Sequence, residues 1–117
     1  MPNGWIRGTP LVRPGQAPSG WRARASRAVW QGKWFEPGNG TARNRFGGVP
    51  FIQGRTSYGP SWLDGRPSLI LDYAGSSLIY GPYRDEIRQV SPGVYLGLMY
   101  DRRTQPPSLV RAFVLEQ

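Results

Sequence analysis

The sequence predicts an all-β fold: a small antiparallel barrel of six to eight strands with an irregular N-terminal arm. Three observations carry that expectation. Short apolar or alternating runs recur along the chain, each bounded by Gly, Pro, Asn or Asp. The 117 residues include 16 Gly and 12 Pro, which favours many turns over long helices. Five Trp, six Tyr and four Phe supply the apolar area that a short chain needs for a core. Closure into a barrel has the further merit of removing exposed strand edges.

Taken in order, residues 1–28 read as a flexible or extended basic arm. They hold four Pro, four Gly, five Arg and no acid, and neither a helical nor an alternating period survives there. Trp5 and Trp21 are the side chains able to dock on the body, and Trp21–Ala28 is long enough for one or two helical turns. Residues 29–117 are expected to form one barrel domain. Val29–Glu36 is its first strand, with Trp30, Gly32 and Trp34 on one face and Lys33 and Phe35 on the other. Pro37–Gly40 is a turn, and Thr41–Gly48 a loop or short irregular strand. Phe51–Tyr58 follows as a strand with Gly54 as a bulge or close-approach point. Gly59–Pro67 is a loop turning at Asp64-Gly65, and Ser68–Tyr73 is the most apolar strand before the hairpin. Leu78-Ile79-Tyr80 has room for a short strand, and Leu109–Leu115 closes the sheet.

The strongest local signal is the hairpin Arg84–Tyr100, turning at Ser91-Pro92-Gly93. Proline presets φ for the first central turn position, and glycine accepts the positive φ that the second requires. Uninterrupted pairing outward from Ser91 and Val94 places Arg88 opposite Gly97, Glu86 opposite Met99 and Ile87 opposite Leu98. In that register Gly97 leaves room for Arg88 to lie across the sheet, and Glu86 shares a face with Arg88.

Composition excludes several chemistries. With no His and no Cys, the chain lacks disulfides, thiol nucleophiles, His-based triads and His or Cys metal sites. No cofactor is expected. Gly-rich stretches lack the Lys-Ser/Thr of a phosphate loop, and no acidic cluster has calcium-loop spacing. No run approaches a membrane span, and MPNGWIRGTP lacks the apolar core of a secretory signal, so a cytoplasmic location is expected. The net charge of +8 is concentrated in the arm: +5 falls in residues 1–28 and +3 in the remainder. Lys33 is the one lysine, and every other basic residue is Arg.

Gly32-Lys33-Trp34 resembles the G-x-W of lipocalin-like (calycin) barrels. The resemblance implies that Trp34 closes the barrel floor, that Arg111 of the last strand packs across it, and that an apolar cavity holds a small hydrophobic ligand. Leu71-Asp72-Tyr73 is similar to the T-D-Y of the same family, with its Thr replaced. DGRPSLILDY and RDEIRQVSPGVYLGLMY also resemble stretches of small uncharacterised bacterial proteins, from which no activity follows.

The leading expectation is therefore a barrel that binds a hydrophobic or amphipathic small molecule. Its ligand-binding set is Trp34, Tyr58, Asp72, Tyr73, Glu86, Arg88, Tyr95 and Tyr100, an aromatic lining with a few polar handles. Trp62 and Tyr80 belong to the same aromatic group, and Arg45 is placed to cap a cavity mouth. A second reading is an enzyme performing proton transfer or cyclisation on an apolar substrate. Its candidate catalytic residues are Asp72, if desolvated within the cavity, and the Glu86–Arg88 pair. A third is a nucleic-acid or protein-interaction module acting through the basic arm, 1–28. A homodimer through an open sheet edge is compatible with all three.

Overall fold

The structure, a computed structural model, describes residues 2–11, 30–46, 49–75 and 80–117, with the account of 46 and 49–51 confined to the backbone. Eight antiparallel strands follow one another around a closed barrel: β1 (Gly4–Leu11), β2 (Trp30–Glu36), β3 (Thr41–Phe46), β4 (Val49–Pro60), β5 (Pro67–Asp72), β6 (Tyr83–Ser91), β7 (Val94–Asp101) and β8 (Ser108–Glu116). A single 3₁₀ turn, Pro37–Asn39, joins β2 to β3. β8 pairs with β1 from Arg7↔Glu116 to Leu11↔Ala112, which closes the sheet. Closure removes the open edge on which the homodimer expectation rested.

Two strands differ from the sequence expectation. Gly4–Leu11, expected within the arm, is β1 and pairs on both sides. Its two glycines and Pro10 hide an alternation in which Ile6 and Gly8 are buried while Arg7 is exposed. Gly8 is small because the Trp30 ring occupies the space a side chain would fill. Thr41–Phe46 is a regular strand, with Ala42 and Asn44 facing inward opposite Phe35 and Lys33. The rest of the expected arm, 12–29 with Trp21, lies outside the described residues, as do Leu78 and Ile79. Tyr80 stands in a turn.

The barrel interior holds a buried core. Ile6, Phe35, Leu69, Leu71, Tyr73, Ile87, Phe113 and Leu115 form the buried core. Each contributes about 1.5–3 kcal/mol by leaving water.

Register is set by bulges as well as by alternation. The hairpin turns as expected, with Ser91↔Val94 and Gly93 at φ 72°. One step on, the ladder slips: Gln89 pairs with Tyr95, and exposed Val90 is the extra residue. The slip moves every subsequent pair by one, so Gly97 faces Ile87 and Arg88 faces Leu96. The expected Arg88–Gly97 and Glu86–Met99 pairs are thereby corrected. The space at Gly97 belongs to the Phe113 ring on β8. A second bulge lies between Trp30 and Gly32. There Gly32 has φ 124°, and a Cβ would collide with the Ile6 carbonyl oxygen. This bulge brings Trp30 and Lys33 to the same, inner side of the barrel and turns Trp34 out.

Candidate functional site

Polar chemistry inside the barrel converges on Lys33. Its ammonium lies 2.6 Å from Asp85 Oδ2 and donates to Asn44 Oδ1 and Tyr73 OH, each at 2.8 Å. Its three protons thus meet three acceptors. The Tyr73 hydroxyl donates to Asp85 Oδ2 at 3.0 Å and accepts from Asn44 Nδ2 at 2.6 Å. Trp30 Nε1 donates to Asn44 Oδ1 at 3.0 Å and ties a fifth residue to the group. Strands β2, β3, β5 and β6 supply the set, with Tyr73 just past the end of β5. The rings of Trp30, Tyr73 and Phe113 surround the ammonium at 5.1–5.8 Å.

Burial dominates the electrostatics here. Desolvation pulls the Lys33 ammonium below its ordinary value, and Asp85 opposes that by attraction and hydrogen bonding. Desolvation, reinforced by the neighbouring Asp85 charge, raises the Tyr73 phenol well above its ordinary value. The network is nearly closed on itself. Among the described residues, Asp85 Oδ1 is its one buried oxygen without a hydrogen-bond partner. Such an arrangement holds strands and the Trp30 ring in place.

Trp30 connects this interior to a groove. Its ring meets Phe113 edge-on at 5.3 Å inside the barrel, and the residue also contributes to the wall of a groove of about 460 Å³. Trp5, Arg7, Thr9, Arg45 and Glu116 form other parts of the wall. The Arg45 guanidinium lies 4.4 Å from the centre of the Trp5 ring, a cation–π contact. Arg45 Nε is buried with no hydrogen-bond partner among the described residues. Arg7, whose side chain is 71% exposed, approaches Glu116 only to 3.9 Å.

The residues named from sequence do not form one pocket. Trp34 is 41% exposed on the outer face and does not close the floor; Trp30 occupies the inner position instead. Arg111 is exposed on β8, two strands away from Trp34 on β2. Tyr58 is 62% exposed. Tyr73 is in the Lys33 network, and Tyr95 packs against the core. Tyr100 is buried with Trp62 edge-on at 5.6 Å.

The three catalytic candidates separate in the same way. Asp72 pairs with Arg102 at 2.6 Å. Partial burial raises its carboxyl, but the Arg102 and Ala74 hydrogen bonds outweigh this and hold it below its usual value. Glu86 faces out of the barrel yet is buried, because the loop at Ser61–Trp62 closes on it. Ser61 Oγ donates to its Oε1 at 2.5 Å and the Trp62 amide to its Oε2 at 2.8 Å. Its ionic partner is Arg84 at 3.0 Å, whose guanidinium lies 3.8 Å over the Trp62 ring. Arg88 instead makes a bidentate pair with Asp64 at 2.8 and 2.9 Å. The expected Glu86–Arg88 unit is replaced by two clasps that hold the 61–66 loop against β6.

Sequence reasoning missed Lys33, Asp85, Asn44 and Trp30 as a group. One signal pointed there: a single lysine in a chain whose other basic residues are all arginine. Arginine's forked, five-donor head is poorly matched to a compact three-acceptor hole.

Compared with known proteins, the chain matches no family, no curated protein and no solved structure. The class of protein is accordingly defined by the fold alone: a closed eight-stranded antiparallel β-barrel.

Proposed function

We propose that the barrel binds an amphipathic small molecule carrying an anionic group, and that its site is the Trp5–Trp30–Arg45 groove. The observation that carries this is the meeting of the Trp5 indole with two arginines, Arg7 and Arg45, around about 460 Å³ of space. That volume falls within the usual range for ligand pockets, about 300–1,000 Å³. The Trp5 indole provides an apolar wall, and the Arg45 guanidinium beside it supplies charged donors for an anionic group. The closed meander agrees with the calycin-like resemblance, and the proposed site lies at a groove beside β1. The separation of Asp72, Glu86 and Arg88 into different ion pairs favours binding over catalysis by those residues.

The test is native mass spectrometry and tryptophan-fluorescence titration with aromatic carboxylates, fatty acids and their neutral amide analogues. The acids bind and the amides bind more weakly. Arg45→Gln weakens acid binding by about tenfold, the value of one charge-assisted hydrogen bond. An unshifted mass and unchanged fluorescence across the panel would sink the proposal.

A further inference from the structure

We infer a second binding surface, for single-stranded nucleic acid, on the outer face of β1–β3. The register sets out two parallel rows of residues there. Trp5 pairs with Trp34, which pairs with Arg43, which pairs with Gln53. Two residues along, Arg7 pairs with Gly32, which pairs with Arg45. Alternation directs these side chains outward, because Ile6, Phe35, Ala42 and Asn44 are the buried ones between them. Neighbouring strands lie about 4.8 Å apart and the rows about 6.7 Å apart, so two indoles and three guanidinium groups share one small patch.

Charge selects the ligand. Arg7, Arg43 and Arg45 stand in the rows, and Arg55 extends them on β4 opposite Thr41. The acids of this face, Glu36 and Glu116, stand at its borders, opposite Thr41 and Arg7. The patch is therefore cationic within a chain of net charge +8. Arg43 is steadied by a 3.2 Å hydrogen bond from Nε to Gln53 Oε1, which leaves its terminal nitrogens for a phosphate. Trp34, one of the largest side chains in any protein, is 41% exposed. An exposed indole beside arginines, next to a half-buried Trp5 stacked on Arg45, suits a ligand with alternating π-faces and phosphates. A duplex hides its base faces, which favours a single strand. A lipid surface would call for a wider apolar area than two indoles set among arginines.

This surface shares Trp5, Arg7 and Arg45 with the groove but does not rest on the small-molecule reading, because Trp34 and Arg43 are outside the groove's lining. The two readings separate experimentally. Arg43→Gln weakens oligonucleotide binding and leaves binding of the small acids in the groove unchanged.

The experiment is fluorescence anisotropy of the full chain with labelled oligo(dT) and oligo(U) of about 12 nucleotides, and with a duplex of equal length, over roughly 50–200 mM salt. Single strands bind more tightly than the duplex, and affinity falls as salt rises. Trp34→Ala weakens single-strand binding by about 5- to 100-fold, and Trp34→Phe restores most of it. Arg43→Gln lowers the logarithmic salt slope by about 0.7, one phosphate contact. Melting curves confirm that these exposed substitutions leave the fold intact. Three outcomes would overturn the inference. One is no binding at the lowest salt. Another is duplex binding equal to single-strand binding with Trp34→Ala without effect, which is simple basicity. The third is Trp34-dependent binding to anionic phosphatidylserine vesicles in place of oligonucleotides.

Discussion

Lys33 is an ion pair's worth of charge placed in the middle of an apolar barrel. Burying it costs several kcal/mol, and Asp85, Tyr73 and Asn44 together offset that cost. Lys33→Met leaves Asp85 without its counter-charge, and chemical denaturation is expected to show a loss of about 3–5 kcal/mol. Lys33→Met combined with Asp85→Asn removes both charges, and the double variant is more stable than Lys33→Met alone. A double variant that is weaker still would show that the pair does not act as a unit. Tyr73 carries a pH signature with a definite sign. Its folded value is raised, so the unfolded chain ionises first, near pH 10. Stability from this residue is fully present below pH 10 and falls as pH rises beyond it. Burial also raises Tyr80 and Tyr100, so ultraviolet titration should find fewer tyrosines ionising near pH 10–11 in the folded protein than in urea, and Tyr73→Phe should narrow that difference.

At the scale of elements, the hairpin and the 61–66 loop both show side chains choosing partners that local pattern does not announce. The bulge at Val90 places Gly97 opposite Ile87 and not Arg88, and the Phe113 ring of β8 fills the space beside it. Gly97→Val therefore overpacks the core, with an expected cost of about 1–3 kcal/mol or more. Arg88 and Asp64 stay paired in that variant. Adding Phe113→Leu to Gly97→Val recovers part of the loss in a thermal-melt cycle, whereas independent, additive losses would place the Phe113 ring elsewhere. The hairpin turn itself was legible, because Pro92 and Gly93 set it by local geometry. The bulge was not, because an exposed Val in an alternating strand carries no mark of being extra.

For the molecule as a whole, closure through β1 is the decisive event. β1 contributes Ile6 to the core and pairs with β2 and β8, so its removal leaves two unpaired edges and an opened interior. A chain lacking residues 1–11 is expected to lose cooperative unfolding and bind a hydrophobic dye. A sharp, native-like transition would show that the remaining strands close without it. The all-β class, the turn positions and most strands were readable from periodicity and Gly/Pro punctuation. The aromatic pocket drawn from Tyr58, Tyr73, Tyr95 and Tyr100 was not realised, because the tyrosines face different sides of a curved sheet.

The sequence by itself determined the barrel class, the Ser91–Gly93 turn, the apolar strands and the absence of His or Cys chemistry. These follow from residue type and short-range spacing, and they act within a few residues along the chain. Only the tertiary structure decided which tryptophan turned inward, which acid met Lys33, and which arginines came to flank Trp5 and Trp34. Those choices depend on bulges that shift a whole ladder by one residue and on closure that brings β8 to β1. Both act between residues distant in sequence, where no local pattern carries the information.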